Sequence, residues 1–268
     1  EDPSGPAVLL ELTRRFEIDP PMHVDLWAVF TGCGHAYQNG MAAFLAIIGY
    51  RRLYLALAPV LAELGNWRSL QGMRLDVGAT LWDGSRKLGS SQGNLIFTEW
   101  GLNGPAVMDL SHLVSAHSSG GLELSLDLLA FVQAEFEQLL LQQRQSRMPV
   151  RVLLGAFFAP KVVLVVMKNA RLPEDILLNK MDERALKALN KKLKDIRLPV
   201  SGVRGFEYCQ VSAGGVPVSE VDPTRLESLR LSGLFLTGET LDVVGPCGGY
   251  NLHFAFASGA LAGRAAAR

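Results

Sequence analysis

The spacing of apolar residues changes along the chain, and the changes divide it. Over residues 3–17, Val8, Leu9, Leu12 and Phe16 form one stripe at helical spacing, with Ser4 placed as N-cap and Pro6 in the first turn. Residues 23–30 read as a strand ending in Thr31-Gly32-Cys33-Gly34, and residues 39–48 as a helix. Strand, glycine turn and helix make the first half of a βαβ unit. Residues 51–65 read as helical or extended, broken at Pro59. From 70 to 97 the pattern changes to short alternating runs over 73–77, 80–82 and 94–97, with a turn at Asp83-Gly84. That pattern predicts antiparallel sheet. Helical spacing returns over 127–145, with Leu128, Phe131, Val132, Phe136, Leu139 and Leu140 facing inward. Two short Lys- and Leu-rich helices follow over 173–197, ending before Pro199. Strands are predicted at 206–211 and 233–239, and a last helix from Asn251 through a run of small residues to Gly263.

The pattern shifts near residues 66–70 and reverts near 199. The expected organisation is therefore a discontinuous α/β domain of residues 1–66 and 199–268, interrupted by an insert of strands and helices over 67–198. With 268 residues and 49% hydrophobic content, the chain can build a core for each part. Twenty-six Lys and Arg balance 26 Asp and Glu, which argues against a nucleic-acid partner held by phosphate neutralisation. Cys33, Cys209 and Cys247 lie far apart with no Cys-x-x-Cys, so neither a disulfide scaffold nor a zinc ribbon is expected, and the usage fits a reducing compartment. The longest apolar runs, 41–49 and 162–167, are bounded by Arg51, Arg52, Lys161 and Lys168 and fall short of the roughly 20 residues a bilayer span requires. No membrane association is expected, and the expected setting is a cytoplasmic protein acting on a small-molecule substrate.

The densest chemistry lies between Gly233 and Gly263. A predicted strand runs into Gly238-Glu239 and then Asp242, followed by the loop Gly245-Pro-Cys-Gly-Gly-Tyr-Asn251 and a helix start. Glycines there let backbone approach a flat or anionic group, and the free N–H groups at a helix start favour negative charge. Glu239 and Asp242 sit where carboxylates accept hydrogen bonds from sugar or ribityl hydroxyls. On spacing alone, an ordinary strand–loop–helix accounts for the segment equally well. Other polar residues are weaker candidates. His35 and His253 are considered as acid–base groups, Cys247 as a loop filler or reactive thiol, and His112 and His117 lack partners at metal-ligand spacing, so no metal is expected. Lys187, Lys191, Lys192 and Lys194, flanked by Asp182, Glu183 and Asp195, read as a solvated helix face.

The string Gly233-Leu-Phe-Leu-Thr-Gly-Glu239-Thr-Leu-Asp242-Val-Val-Gly245-Pro-Cys-Gly-Gly-Tyr-Asn251, continuing to Gly263, resembles the C-terminal flavin motif of the BaiN/RdsA family. These are YhiN-like, aminoacetone-oxidase-like NAD(P)/FAD-dependent oxidoreductases. Two further blocks carry the resemblance in the same order. One is Phe97-Thr-Glu-Trp-Gly-Leu-Asn-Gly-Pro-Ala106 with Asp109-Leu-Ser111, similar to a Thr-x-x-Gly-x-Ser-Gly-Pro segment. The other is Val211-Ser-Ala-Gly-Gly-Val216 with Glu220-Val-Asp-Pro-Thr224. The resemblance implies a two-dinucleotide-binding-type α/β fold with an insert, FAD as cofactor, and NADPH or NADH as reductant. It places Gly238, Glu239 and Asp242 at the ribityl and pyrophosphate region. It sets the N–H groups of Gly248, Gly249, Tyr250, Asn251 and Leu252 at the pyrimidine edge of the isoalloxazine, with Gly214 and Gly215 lining the ring. Asn103 replaces a usual Ser and Glu99 a frequent His. The family's opening strand and Gly-x-Gly-x-x-Gly has no counterpart. Gly32-Cys-Gly-His-Ala-Tyr37 lacks the third glycine and aligns with a later Thr-Gly-Gly segment. The resemblance therefore leaves a second reading, a non-catalytic relic or fragment that binds no FAD and acts through protein contacts.

Overall fold

A computed structural model describes residues 51–117 and 120–267. The elements expected over 3–17, 23–30 and 39–48 lie outside the described residues. The chain divides into two compact units, one of Leu55–Gly205 and one of Glu1–Tyr54 with Phe206–Arg268.

The first unit is built on a closed six-stranded antiparallel barrel. Its strands are β2 (Val60–Ala62), β3 (Arg74–Asp83), β4 (Arg86–Phe97), β5 (Gly101–Asn103), β6 (Leu122–Asp127) and β7 (Ile196–Val203), ordered β2-β5-β4-β3-β6-β7. Side chains of alternate residues fill it. Val77, Ala79 and Leu81 of β3, Leu122, Leu124 and Leu126 of β6, and Ile196, Leu198 and Val200 of β7 are all buried. Closure leaves no strand edge exposed. The segments expected over 73–77 and 80–82 are one strand of ten residues, and the Asp83-Gly84 turn joins it to β4 across a full ladder. The insert expected over 67–198 extends in the structure to residues 55–205, because β2 pairs with both β5 and β7 and so closes the barrel.

Two short helices, α1 (Pro105–Met108) and α2 (Ser111–Ala116), follow β5. The remaining helices of the unit are α3 (Gln133–Gln143), α4 (Val150–Gly155), α5 (Pro160–Asn169) and α6 (Glu183–Lys194). The helix expected from residue 127 begins only at 133. Asp127 accepts the Leu129 N–H at 2.8 Å and turns the chain out of β6, which leaves Phe131 51% exposed rather than inward. In the 173–197 region α6 ends at Lys194, and a strand rather than a helix carries the chain across Pro199. Pro199 lacks an N–H, but its φ suits an extended chain and its carbonyl accepts the Glu63 N–H at 2.9 Å.

In the second unit, β1 (Arg51–Ala56), whose first four residues belong here, pairs with β8 (Val211–Gly215). The strand expected at 206–211 is displaced: Phe206–Tyr208 is a 3₁₀ turn and pairing starts at Val211. The strand expected at 233–239 is absent. Gly233 and Gly238 both hold left-handed φ, at 80° and 58°, and between them only Phe235 makes a bridge, to Glu227. The Leu236 N–H bonds instead to Leu226, folding the segment back on itself. A small core of Val216, Val221, Leu226, Leu236, Leu241 and Ala262 joins this loop region to α7 (Tyr250–Ala266).

Candidate functional site

The predicted site residues gather around the 3₁₀ turn Gly238–Thr240, which packs against both β8 and α7. The Asp242 carboxylate accepts the Gly214 N–H at 3.0 Å, and the Asp242 N–H donates to Val216 O at 2.8 Å. The Val216 N–H donates to Thr240 O at 2.8 Å. Asp242 thus fastens the end of β8 to the turn, and the sequence suggested no such part for it. Gly215, with φ 106°, lies so close that a Cβ would sit 2.6 Å from Thr240 O. On the other side, the Gly238 N–H donates to Ser258 Oγ at 3.0 Å, and the Ser258 hydroxyl donates to Ala255 O. A Cβ on Gly238 would lie 3.4 Å from Ala255 Cβ. The packed face of α7 therefore runs through Ser258, Ala262 and Ala265, whereas Gly259 and Gly263 meet open space.

Glu239 is half-buried in this turn. Burial pushes its carboxyl above the usual carboxylate range, partly opposed by a hydrogen bond from the Ser212 N–H. The neighbouring Cys209 thiol is pushed up to about 11, first by burial and then by the Glu239 charge, so it is a protonated core thiol and not a nucleophile. The raised Glu239 has a consequence for stability. The folded state binds a proton that the unfolded chain releases, so stability falls as pH rises from the ordinary carboxylate range through the raised value. Glu239→Gln is expected to raise the unfolding midpoint at pH 7 and to leave it near the parent's at pH 4. Urea melts across that range would show the gap opening with pH.

The loop Gly245–Asn251 is held by one side chain. Asn251 accepts the Gly245 N–H at 2.8 Å and donates from Nδ2 to Gly245 O at 2.9 Å. Its amide therefore braces the loop and is not directed to a ligand. Asn251→Ala breaks both bonds and is expected to cost about 1–3 kcal/mol, read by chemical denaturation. Gly248 (φ 125°) and Gly249 (φ 87°) then turn the chain left-handed into α7, with Gly249 as a cap that has no side chain. Tyr250 is 61% and Leu252 58% exposed. The N–H groups of a helix's first turn have no intrahelical acceptor, so those of Tyr250, Asn251 and Leu252 lie at the positive end of a 17-residue helix. His253 is exposed on the same turn.

The segment 97–111 is a corner of the barrel unit. The Thr98 N–H and hydroxyl both donate to Gly101 O, at 2.8 and 2.9 Å, and the Arg204 guanidinium stacks 4.5 Å over Trp100. Asn103 Oδ1 accepts the Gly104 N–H at 2.8 Å, a bond a serine hydroxyl also makes, so the Ser-to-Asn difference preserves the turn. Glu99 lies within this turn. His112 is half-buried, and burial lowers its pKa. Among the described residues no three His, Cys, Asp or Glu side chains are placed to hold a metal. Among them, too, no helix is long and apolar enough to cross a membrane.

Residues 56–211 match the family described as HI0933-like protein barrel and H2TH domain, a span that takes in the barrel and α1–α6. The chain belongs to this family, the BaiN/RdsA flavoproteins. Among BaiN/RdsA relatives, it is 31% identical to a 3-dehydro-bile acid delta(4,6)-reductase of Clostridium scindens over 88% of this chain and 58% of that protein. It is 31% identical to the ribosomal RNA dihydrouridine synthase of Escherichia coli over 62% of this chain and 40% of that protein. It is 27% identical to the protein of the same name in Haemophilus influenzae over 71% and 45% respectively. The chain spans about half the length of the curated relatives it matches.

Proposed function

We propose that the chain acts as an FAD-dependent oxidoreductase, with the start of α7 as the seat of the flavin's pyrimidine edge. The observation that carries this reading is the approach to α7. Two successive left-handed glycines and a loop braced by Asn251 deliver an exposed first helical turn with its N–H groups free of side-chain caps. Such an arrangement fits a planar group that gains negative charge at one edge. When bound, FAD would supply a hydride acceptor and donor at its isoalloxazine ring. The N–H groups of Gly248, Gly249, Tyr250, Asn251 and Leu252 would hold the ring at one edge and favour negative charge there. Gly214 and Gly215 enter the proposal as backbone beside the ring, and the side on which a Cβ of Gly215 would stand is taken by Thr240 O. Gly238 and Glu239 belong to the ribityl and pyrophosphate side, with Asp242 holding the turn in register.

The dinucleotide-binding α/β fold belongs to the same proposal, as a discontinuous domain that flanks the barrel unit of Leu55–Gly205. NADPH or NADH is the proposed reductant. The acceptor we propose is a carbon–carbon double bond conjugated to a carbonyl. The names of the relatives point there, since a delta(4,6)-reductase of a 3-dehydro-bile acid and a dihydrouridine synthase both saturate such bonds.

The test is direct. The purified chain, mixed with FAD and desalted, is expected to keep a yellow flavin spectrum that NADPH or NADH bleaches under anaerobic conditions. Free FAD at 100 times its dissociation constant is expected to stabilise the fold by about 2.7 kcal/mol. A chain that stays colourless and shows no melting shift refutes the proposal.

A further inference from the structure

Ser258 stands apart from its surroundings on α7. From Phe254 to Gly263 the helix carries Ala, Gly, Phe and Leu, and Ser258 supplies the polar side chain of the run. It is 3% exposed and lies on the packed face. A hydroxyl in such a place costs stability unless it is bonded, and a serine inside a helix satisfies itself by donating to a carbonyl about one turn back. Ser258 does so, with Ala255 O at 3.1 Å. That local bond uses the hydroxyl proton and leaves the oxygen able to accept. The oxygen takes the Gly238 N–H at 3.0 Å, from 20 residues upstream.

Gly238 depends on this acceptor. It opens the 3₁₀ turn Gly238–Thr240, where the first N–H has no partner within the turn, and Thr237 before it makes no side-chain cap bond. Gly238 is buried, so bulk water does not replace Ser258. The next residue is Glu239, whose half-buried carboxyl accepts the Ser212 N–H of β8. The turn is thus bonded to β8 on one side and to α7 on the other. Ser258 lies about two turns, or 12 Å, past the start of α7 at Tyr250. A helix shifts as a body, so a bond at that point fixes where the first turn stands relative to Glu239. The influence of helix N–H groups on a charge fades within about one turn, so that spacing matters.

We propose that Ser258 is a positioning residue of the flavin seat. Its hydroxyl sets the spacing between the turn bearing Glu239 and the helix start whose N–H groups would meet the ring. This inference rests on the flavin reading, and Ser258 acts through the turn and the helix rather than by contact with the cofactor.

Ser258→Ala tests it, because alanine is the strongest helix former and the variant keeps α7. Ser258→Thr returns the hydroxyl, which in a helix bonds to the same kind of carbonyl. Ser125→Ala, which removes a hydroxyl bond to Asp195 in the barrel unit, is the control. In the FAD-free chain, amide exchange read by mass spectrometry is expected to quicken in Ser258→Ala over residues 236–241 and 250–254, and to return to the parent rates in Ser258→Thr. With FAD, Ser258→Ala is expected to bind about tenfold more weakly, the effect of one buried N–H left without an acceptor. Its bound flavin is expected to show a more negative midpoint potential, because N–H groups set back from the ring favour less the charge that reduction adds. Ser258→Thr is expected to recover both values and Ser125→Ala to keep both. A general loss of stability lowers affinity without moving the potential, so the potential separates positioning from packing. A parent chain that takes up no FAD refutes the flavin reading and this inference with it. A parent that binds FAD while Ser258→Ala keeps its affinity and potential overturns this inference alone, as does an equal loss in Ser125→Ala.

Discussion

Gly215→Ala protein is expected to emerge from FAD reconstitution without flavin. Gly215 sits at φ 106°, and a Cβ would lie 2.6 Å from Thr240 O and 3.2 Å from Thr240 C. Both atoms are backbone, so no side chain can rotate away. The left-handed backbone contributes about 1–3 kcal/mol of strain for alanine and the overlap about 1–3 kcal/mol more. Relief requires β8 and the Gly238–Thr240 turn to separate, which stretches the Val216–Thr240 and Gly214–Asp242 hydrogen bonds together. That displacement shifts the turn bearing Glu239 out of register between β8 and α7. Absorbance near the flavin bands, divided by protein, reads the loss. Gly259→Ala on α7 is the matched control: it meets open space, and alanine in a helix interior is expected to stabilise by about 0.5–1 kcal/mol and retain the flavin. Equal flavin retention by Gly215→Ala would show that the β8–turn contact is not part of the cofactor site.

The second large effect falls on the barrel. Gly101→Ala is expected to destabilise the unit of residues 55–205 by about 2–6 kcal/mol, by the same two contributions. A Cβ at Gly101 would lie 2.3 Å from Val60 O and 2.6 Å from Ala62 N, at the pairing of β2 with β5 that closes the barrel. β2 is only three residues long and also holds β7, so a shift there opens two interfaces. Guanidinium melts followed by tryptophan fluorescence test it, since Trp67, Trp82 and Trp100 all lie in this unit. A change under about 1 kcal/mol would mean that β2 moves aside without harm.

Both glycines stand in segments that sequence resemblance had marked, but for different reasons. The Gly214-Gly215 pair was expected to line a flavin ring. The structure shows that Gly215 is first required by its own neighbour, Thr240. Gly101 was noted only as part of a Thr-x-x-Gly turn, and its need comes from Val60, 41 positions earlier in the chain, which no local pattern reveals.

The sequence alone settled what depends on near neighbours. Short alternating runs and an Asp83-Gly84 turn marked β3, the turn and the end of β4, because a two-residue period and a turn dipeptide are local properties, whereas the first eight residues of β4 showed only in its ladder with β3. The glycine pair before Tyr250 and the small-residue run after it specified the start of α7 within a residue. What depends on distant partners was decided only by the tertiary structure. Ile196, Leu198 and Val200 alternate, yet the Lys-rich helix before them and Pro199 among them masked a strand that exists because β2 and β6 pair with it. Apolar residues at 233–239 suggested a strand that never forms, since two left-handed glycines and a hydrogen bond to Leu226 claim the backbone first. Asp182 and Asp195 counted against a basic surface while only their charges were visible. Once folding commits one to a helix cap and the other to Ser125 and Arg197, the neighbouring cations are left facing water.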